Sequence, residues 1–314
     1  MEFSNDQVER RAFLKKTAAA GVATAGLSWA ALAEMSPATA ATTSTGCRWG
    51  ALSLRGTSQQ IAIDQLERQV GRKFDTTHYR MPWTSDLNNK FTSWSAATGH
   101  TQILSWFARS KKGLVSWRGI AGGSQDAWIT TQARNLKATG WSGYLCFHKE
   151  PEDEGNATDW KAAYNRVRQI FDNVGVTGFQ WVVCLMASTY QSGNADQWMP
   201  ARYDLLGVDG YNRYHCRNKP WKSFSDVFIA SRNYAQARGK SLYVVESGCV
   251  EGESGRKAQW FTDARVTIKQ WPEIVGFSYN NEDTDCTYYV DSSTSSLAGF
   301  KAMGQDTFFN VAGR

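Results

Sequence analysis

The chain is poor in several residue types and patterns, and each shortage removes a class of protein. Proline contributes 6 of 314 residues, and the 27 glycines follow no Gly-X-Y period, which excludes a collagen-like or proline-rich extended polymer. The 4 histidines never cluster with cysteines at metal-site spacing and no Cys-x-x-Cys pair occurs, so no metal site is expected. No apolar run reaches the roughly 18 residues that a bilayer-spanning helix needs, and stable membrane insertion is not expected. The net charge of +6 is dispersed rather than gathered into a basic block, which argues against a nucleic-acid partner. After the first strand candidate, Leu54-Arg55-Gly56-Thr57-Ser58 lacks the glycine spacing of a dinucleotide loop.

Aromatic residues, by contrast, are plentiful. The 14 Trp, 12 Tyr and 15 Phe sit largely in Gly- and Asn-rich stretches rather than on clean helical stripes. A flat ring in such a place suits either a core or the apolar face of a sugar, and sequence alone leaves both open. With 42% hydrophobic and 20% charged residues, the composition is that of a soluble globular protein with a large core.

The N-terminus has its own pattern. Arg10-Arg11-Ala12-Phe13-Leu14-Lys15 precede an Ala/Gly-rich stretch from Thr17 to Leu32 and the small-residue run Ala38-Thr39-Ala40. This resembles a bacterial twin-arginine export signal over residues 1–40. The resemblance implies the twin-arginine (Tat) export machinery as a transient partner, and a secreted, periplasmic or cell-surface location. All six cysteines lie beyond it, where oxidation is permitted. Cys216, Cys249 and Cys286 follow strand candidates and two of them can be joined across one face, whereas Cys146 and Cys184 sit in apolar runs and read as buried thiols.

From residue 41 to 314, short apolar runs alternate with amphipathic stretches. Strands are expected at Arg48–Leu54, Phe74–Tyr79, Gly113–Trp117, Gly143–Phe147, Phe179–Met186, Leu205–Val208, Leu242–Val245 and Ile274–Tyr279. Helices are expected at Ser58–Val70, Asp126–Ala138, Asp159–Phe171, Phe224–Ala237 and Lys257–Gln270, with a further one around Thr101–Ala108 behind a long polar loop. Eight strand-and-helix units predict a single α/β domain, a (β/α)8 TIM barrel; a doubly wound open sheet is the competing fold.

Barrel active sites gather at strand exits, and two exits carry carboxylates. Gly143–Phe147 runs into His148-Lys149-Glu150-Pro151-Glu152, and Leu242–Val245 into Glu246-Ser247-Gly248. Two carboxyl groups across a barrel mouth suit cleavage of a glycosidic bond, one protonating the leaving oxygen and the other attacking or stabilising the anomeric carbon. If the strand ended two residues later, Glu152 would replace Glu150.

These segments, with Asp204–Asn212 and Gly276–Asn280 followed by Asp291-Ser292-Ser293, resemble the retaining (β/α)8 glycoside hydrolase clan, most closely family 26, the β-mannanase-like family. The resemblance implies Glu150 as general acid/base, Glu246 as nucleophile, and Tyr211 as a hydrogen-bond partner of that nucleophile. It also implies no cofactor and a polysaccharide or oligosaccharide substrate. Asp209 and Tyr211 are expected to share one side of their strand, with Asn212 as the alternative sugar contact. The remaining candidate substrate contacts are His148, Lys149, Trp117, Arg118, Tyr279, Asn280 and Trp181, with Tyr79, Trp83 and Trp198 as outer platforms. Two positions depart from the family: Lys149 stands where histidine precedes the acid, and Tyr279 and Asn280 stand where the last strand carries tryptophan. A glycan-binding barrel without catalysis is the alternative function, and a transglycosylase would use the same two glutamates.

Overall fold

Eight parallel strands close into a barrel in chain order in the computed structural model, which describes residues 46–311; the expected leader over residues 1–40 lies outside them. The barrel strands are β1 (Arg48–Ser53), β2 (Thr76–Pro82), β3 (Thr101–Phe107), β4 (Gly143–Phe147), β5 (Phe179–Met186), β6 (Leu205–Asn212), β7 (Leu242–Cys249) and β8 (Ile274–Asn281). Around them lie α1 (Gln59–Val70), α2 (Lys90–Ala97), α3 (Trp117–Ala121), α4 (Asp126–Thr139), α5 (Ala157–Val174), α6 (Ala187–Gln191), α7 (Phe224–Ala237), α8 (Arg256–Gln270) and α9 (Thr294–Gln305). This is the (β/α)8 barrel expected from the sequence.

Both faces of each strand are covered, which is why the strands read as apolar runs. Ile103, Tyr144, Cys146, Val182, Cys184, Leu205, Tyr243 and Val245 fill the barrel interior. A second layer, including Trp49, Trp106, Trp160, Trp181 and Phe277, packs between strands and helices. Local signals set the helix ends: Ser58 caps α1, Asn156 caps α5, and Ser223 with Asp226 forms a capping box on α7.

The third strand is a correction. Thr101–Ala108 is not a helix but supplies β3, and Gly113–Trp117 is not a barrel strand. Gly113–Leu114 instead pairs with Arg109–Ser110 in a small hairpin, and Trp117 opens α3. Ile103, Leu104, Phe107 and Ala108 fit a helical stripe, yet the same spacing arises in a strand buried on both faces. The helix of this unit lies earlier, at α2, where Asn89 accepts hydrogen bonds from the Phe91 and Thr92 N–H groups. Gly99, at φ +82°, turns the chain from α2 into β3.

Of the three cysteines near strand exits, Cys216 and Cys286 are disulfide-bonded, with their Cα atoms 6.0 Å apart. The bond ties the loop after β6 to the loop after β8. Cys249 remains a thiol, and Cys47, Cys146 and Cys184 are likewise buried thiols. Because the bridge spans a sequence separation of 70 residues, it removes considerable freedom from the unfolded chain. Its loss is expected to cost about 2–4 kcal/mol. Thermal melts of wild type and Cys216→Ser would show this as a lower Tm; equal melting would mean that the loops hold each other without the bond.

Candidate active site

Strand alternation alone would aim Glu246 the wrong way. Tyr243 and Val245 both face the barrel interior, so the next residue should face the helices. The pairing of β7 shifts here on both sides, against β6 between Val208 and Asp209 and against β8 between Phe277 and Tyr279. The bulge turns Glu246 inward opposite Asp209, where it is only 3% exposed.

Beyond β4 the chain is turned by two left-handed residues, His148 at φ +45° and Glu150 at φ +51°. Each costs roughly 1–2 kcal/mol without a glycine, so other contacts must hold the turn. His148 supplies several of them. Its Nδ1 accepts the Ala108 N–H at 3.0 Å, leaving Nε2–H to donate to Glu154 at 3.0 Å, while its ring meets the edge of Trp117. Lys149 and Glu150 are thereby presented to the mouth.

The Lys149 ammonium is the centre of the site. It lies 2.5 Å from Asp209 Oδ2, 3.2 Å from Glu246 Oε2 and 3.5 Å from Glu150 Oε2. Sharing one nitrogen, the Glu246 and Glu150 oxygens lie no more than 6.7 Å apart, the sum of the last two distances. The Tyr211 hydroxyl donates to Glu246 Oε2 at 2.6 Å, so that oxygen is held from two sides. On β2, His78 Nδ1 is 3.5 Å and Arg80 Nε 3.9 Å from Glu246 Oε1. Arg80 also pairs with Glu282, just past β8.

Electrostatics separate these groups. Burial pushes Glu246 up, but Lys149, Arg80, His78 and the Tyr211 hydrogen bond outweigh it and hold the carboxyl well below its usual range. Burial would discharge Lys149, yet the three carboxylates raise it well above an ordinary lysine. Burial, with Glu246 and Glu150, pushes Asp209 up against the pull of Lys149. His78 is driven down to about 3, chiefly by burial, and is neutral at pH 7. Its Nε2 is 2.7 Å from Ser105 Oγ on β3.

The His78 shift has a measurable consequence. Between pH 6.5 and about 3 the unfolded chain takes up a proton that folded His78 refuses, so this group withdraws stability as pH falls through that window. Glu246 acts with the same sign at lower pH, its contribution being present above the unfolded carboxyl value of about 4.3 and lost as pH falls. Glu152, raised to about 7 mainly by burial, acts in the opposite sense. The clean observable is therefore a difference between variants. His78→Asn should gain about 2–3 kcal/mol relative to wild type between pH 6.5 and pH 4.5. Paired melts would reveal a constant difference if His78 were protonated when folded.

Several sequence candidates lie elsewhere, and the reasons are plain. Trp117 is 3% exposed and packs on His148 from α3, so it is not a platform at a strand end. Arg118 projects outward, its side chain 82% exposed, and meets Asp159. Trp181 faces the helix layer against Tyr164 and Phe171. Tyr279 packs on Phe261 and Phe300 and donates its hydroxyl to the Tyr288 carbonyl, on the outer face of β8. Asn212 accepts the Tyr214 and Lys222 N–H groups and organises a loop. His148 anchors the turn as described. Trp83 stacks on Trp106, Trp198 is buried, and Tyr79 packs on Phe91.

Lys149, Glu150, Asp209, Tyr211 and Glu246 are brought together. Asn280 is buried on the alternate, inward side of β8 from Tyr279. Glu152 is not part of the cluster: its Oε1 accepts the Met186 N–H and the Thr189 hydroxyl, fastening the loop to the start of α6. Sequence reading missed His78, Arg80, Glu282 and Phe107. His78 and Arg80 stand two apart on β2 and so share its inner face, a signal lost when the strand was ended at Tyr79. Phe107, half-buried with its ring 5.9 Å from the Lys149 ammonium, fell in the supposed helix. Among the described residues, no group of three His, Cys, Asp or Glu is arranged to hold a metal, and no helix is long and apolar enough to cross a membrane.

No family model matches the chain, and no curated protein matches it in sequence. Solved structures do. A glycoside hydrolase family 26 β-mannanase from Bacteroides ovatus aligns with a TM-score of 0.61 at 14% identity, over 83% of this chain and 89% of that one. A β-mannanase from a symbiotic protist of the termite Reticulitermes speratus gives 0.59 at 15%, over 85% and 88%. A family 128 endo-β-1,3-glucanase from Sorangium cellulosum gives 0.54 at 13%, over 83% and 100%. At these identities the likeness is one of fold.

Proposed function

We propose that the chain is a retaining glycoside hydrolase that cleaves a β-linked glycan by double displacement, with Glu246 as nucleophile and Glu150 as acid/base. The observation that carries this reading is the meeting of two carboxylates, from the exits of β4 and β7, on one ammonium within 6.7 Å of each other. A retaining pair stands about 5–5.5 Å apart, and an inverting pair about 6.5–9.5 Å. The ionised state of Glu246 and its hydrogen bond from Tyr211 suit an attacking group. The sequence resemblance to family 26 and the mannanases and glucanase among the similar structures support the same chemistry.

In the first step a Glu246 oxygen bonds to the anomeric carbon, the glycosidic bond breaks, and the Glu150 proton passes to the leaving oxygen. In the second, Glu150 takes a proton from water, the water oxygen bonds to the anomeric carbon, and the bond to Glu246 breaks. The twin-arginine pattern at Arg10-Arg11 supports export before this reaction takes place.

The test is to incubate residues 41–314 with mannans, β-1,3- and β-1,4-glucans and mixed-linkage glycans, and to follow the first-formed anomer by proton NMR. The β anomer is expected first. An α anomer formed first would remove the nucleophilic role of Glu246, and sugar binding without turnover would make the protein a glycan-binding barrel.

A further inference from the structure

Two carboxylates suffice for the proposed chemistry, yet a buried ammonium stands between them. Lys149 is 3% exposed, and it neither attacks nor donates the proton that the leaving group receives. Its nearest partner is Asp209, whose side chain is wholly enclosed and whose other oxygen accepts the Cys184 thiol at 3.2 Å. Asp209 therefore fixes the ammonium in place. The two longer contacts, to Glu246 and Glu150, go to the groups whose charges change during the reaction.

Resting on the hydrolase reading above, we propose that Lys149, anchored by Asp209, is a positioning residue whose single charge serves Glu246 before the covalent intermediate forms and Glu150 while it lasts. In the resting site the ammonium keeps Glu246 an anion. Once the Glu246 oxygen bonds to the anomeric carbon it becomes an ester, and its negative charge is gone. Glu150 has by then passed its proton to the leaving oxygen and is the carboxylate nearest the ammonium after Asp209. The same charge then favours the anionic Glu150 that must accept a proton from water. Hydrolysis of the ester returns the charge to Glu246.

Among the described residues, Lys149 is the cation that contacts both glutamates. Glu246 is faced by His78 and Arg80 from β2, Cys146 from β4, Asp209 and Tyr211 from β6, Glu282 beyond β8, and Lys149 beyond β4, with Glu150 on the far side of that ammonium. His78 is neutral, and Arg80 pairs with Glu282 and stands at 3.9 Å, on the other oxygen. Glu150 is faced by Lys149, Asp209, Tyr211, Cys184 and Glu152, of which only Lys149 is cationic. Lys149 itself is further faced by the Phe107 ring from β3.

The experiment compares wild type, Lys149→Arg and the neutral double variant Lys149→Met/Asp209→Asn, each labelled with carbon-13 in its glutamate carboxyls. In the double variant the Glu246 resonance should titrate at least about 1 pH unit higher than in wild type, and Lys149→Arg should restore much of the difference. With an activated aryl glycoside of the sugar found in the panel, the double variant should lose kcat at least about tenfold more than kcat/KM, because hydrolysis of the ester limits kcat. An unmoved Glu246 resonance overturns the proposal, as does an equal fall in kcat and kcat/KM. If the double variant fails to fold, Lys149→Gln replaces it under the same criteria. A wild type that turns over no glycan overturns the hydrolase reading and the exchange of partners with it, whereas full wild-type turnover with an unmoved resonance overturns only the role of Lys149.

Discussion

Glu246→Gln should lower kcat by about 10⁴-fold or more while the protein still binds glycan, because the amide fills the same space and still accepts the Tyr211 hydroxyl but cannot form the covalent intermediate. The loss should be nearly independent of leaving group, since both steps pass through this side chain. A sharper version removes the side chain. Glu246→Gly supplied with azide should yield a glycosyl azide of inverted configuration, made by direct attack on the face that Glu246 occupied. Wild-type rates in Glu246→Gln, or an azide product of retained configuration, would place the nucleophile elsewhere. The charges that keep Glu246 ionised come from Lys149 and Arg80, so the variant's stability should be checked separately from its activity.

Glu150→Ala should behave differently. For a natural glycan, loss of the proton donor is expected to cost about 10²–10⁴-fold in kcat/KM. For a dinitrophenyl glycoside, whose leaving group departs unaided, the first step should be nearly normal and the second slow. A burst of released phenol followed by a slow steady state is then expected. Azide should rescue this variant with retained configuration, the opposite of its outcome at Glu246. A loss of the same size for both substrates would show that Glu150 does not deliver the proton, and Glu152, half-buried at the start of α6, would have to be tested next.

Most of the barrel was legible because its strands are continuous apolar runs separated by well-capped helices such as α1 and α7. The exception is instructive. In Thr101–Phe107 both faces are buried, so the run carries no alternation, and helix and strand share one hydrophobic spacing. That single exchange misplaced Trp117 and Arg118 and hid Phe107. Glu150 and Glu246 were legible as neighbours because each lies just past a clear apolar run, Gly143–Phe147 and Leu242–Val245, although β7 itself continues to Cys249. Residues such as Trp181 and Tyr279 were misassigned because composition cannot say which side of a strand faces the mouth. Lys149 stands out in the sequence as a departure beside an acid, but its partners depend on the fold. The ammonium lies inward, held by Asp209 and in reach of both Glu246 and Glu150. Sixty positions separate Lys149 from Asp209, and no local pattern connects them.

The bulge in β7 also makes the site sensitive to chain length. Glu246 faces inward because one surplus residue is accommodated before it, not because its neighbours select that rotamer. Deleting Val245 would restore regular pairing and still leave Glu246 two residues after the inward-facing Tyr243, opposite Asp209, whereas inserting one further residue there would turn Glu246 and each later residue of the strand to the other face. Homologous barrels could therefore conserve the glutamate and still differ in competence through a one-codon change upstream, and an alignment that slides a gap across this strand would conceal the difference.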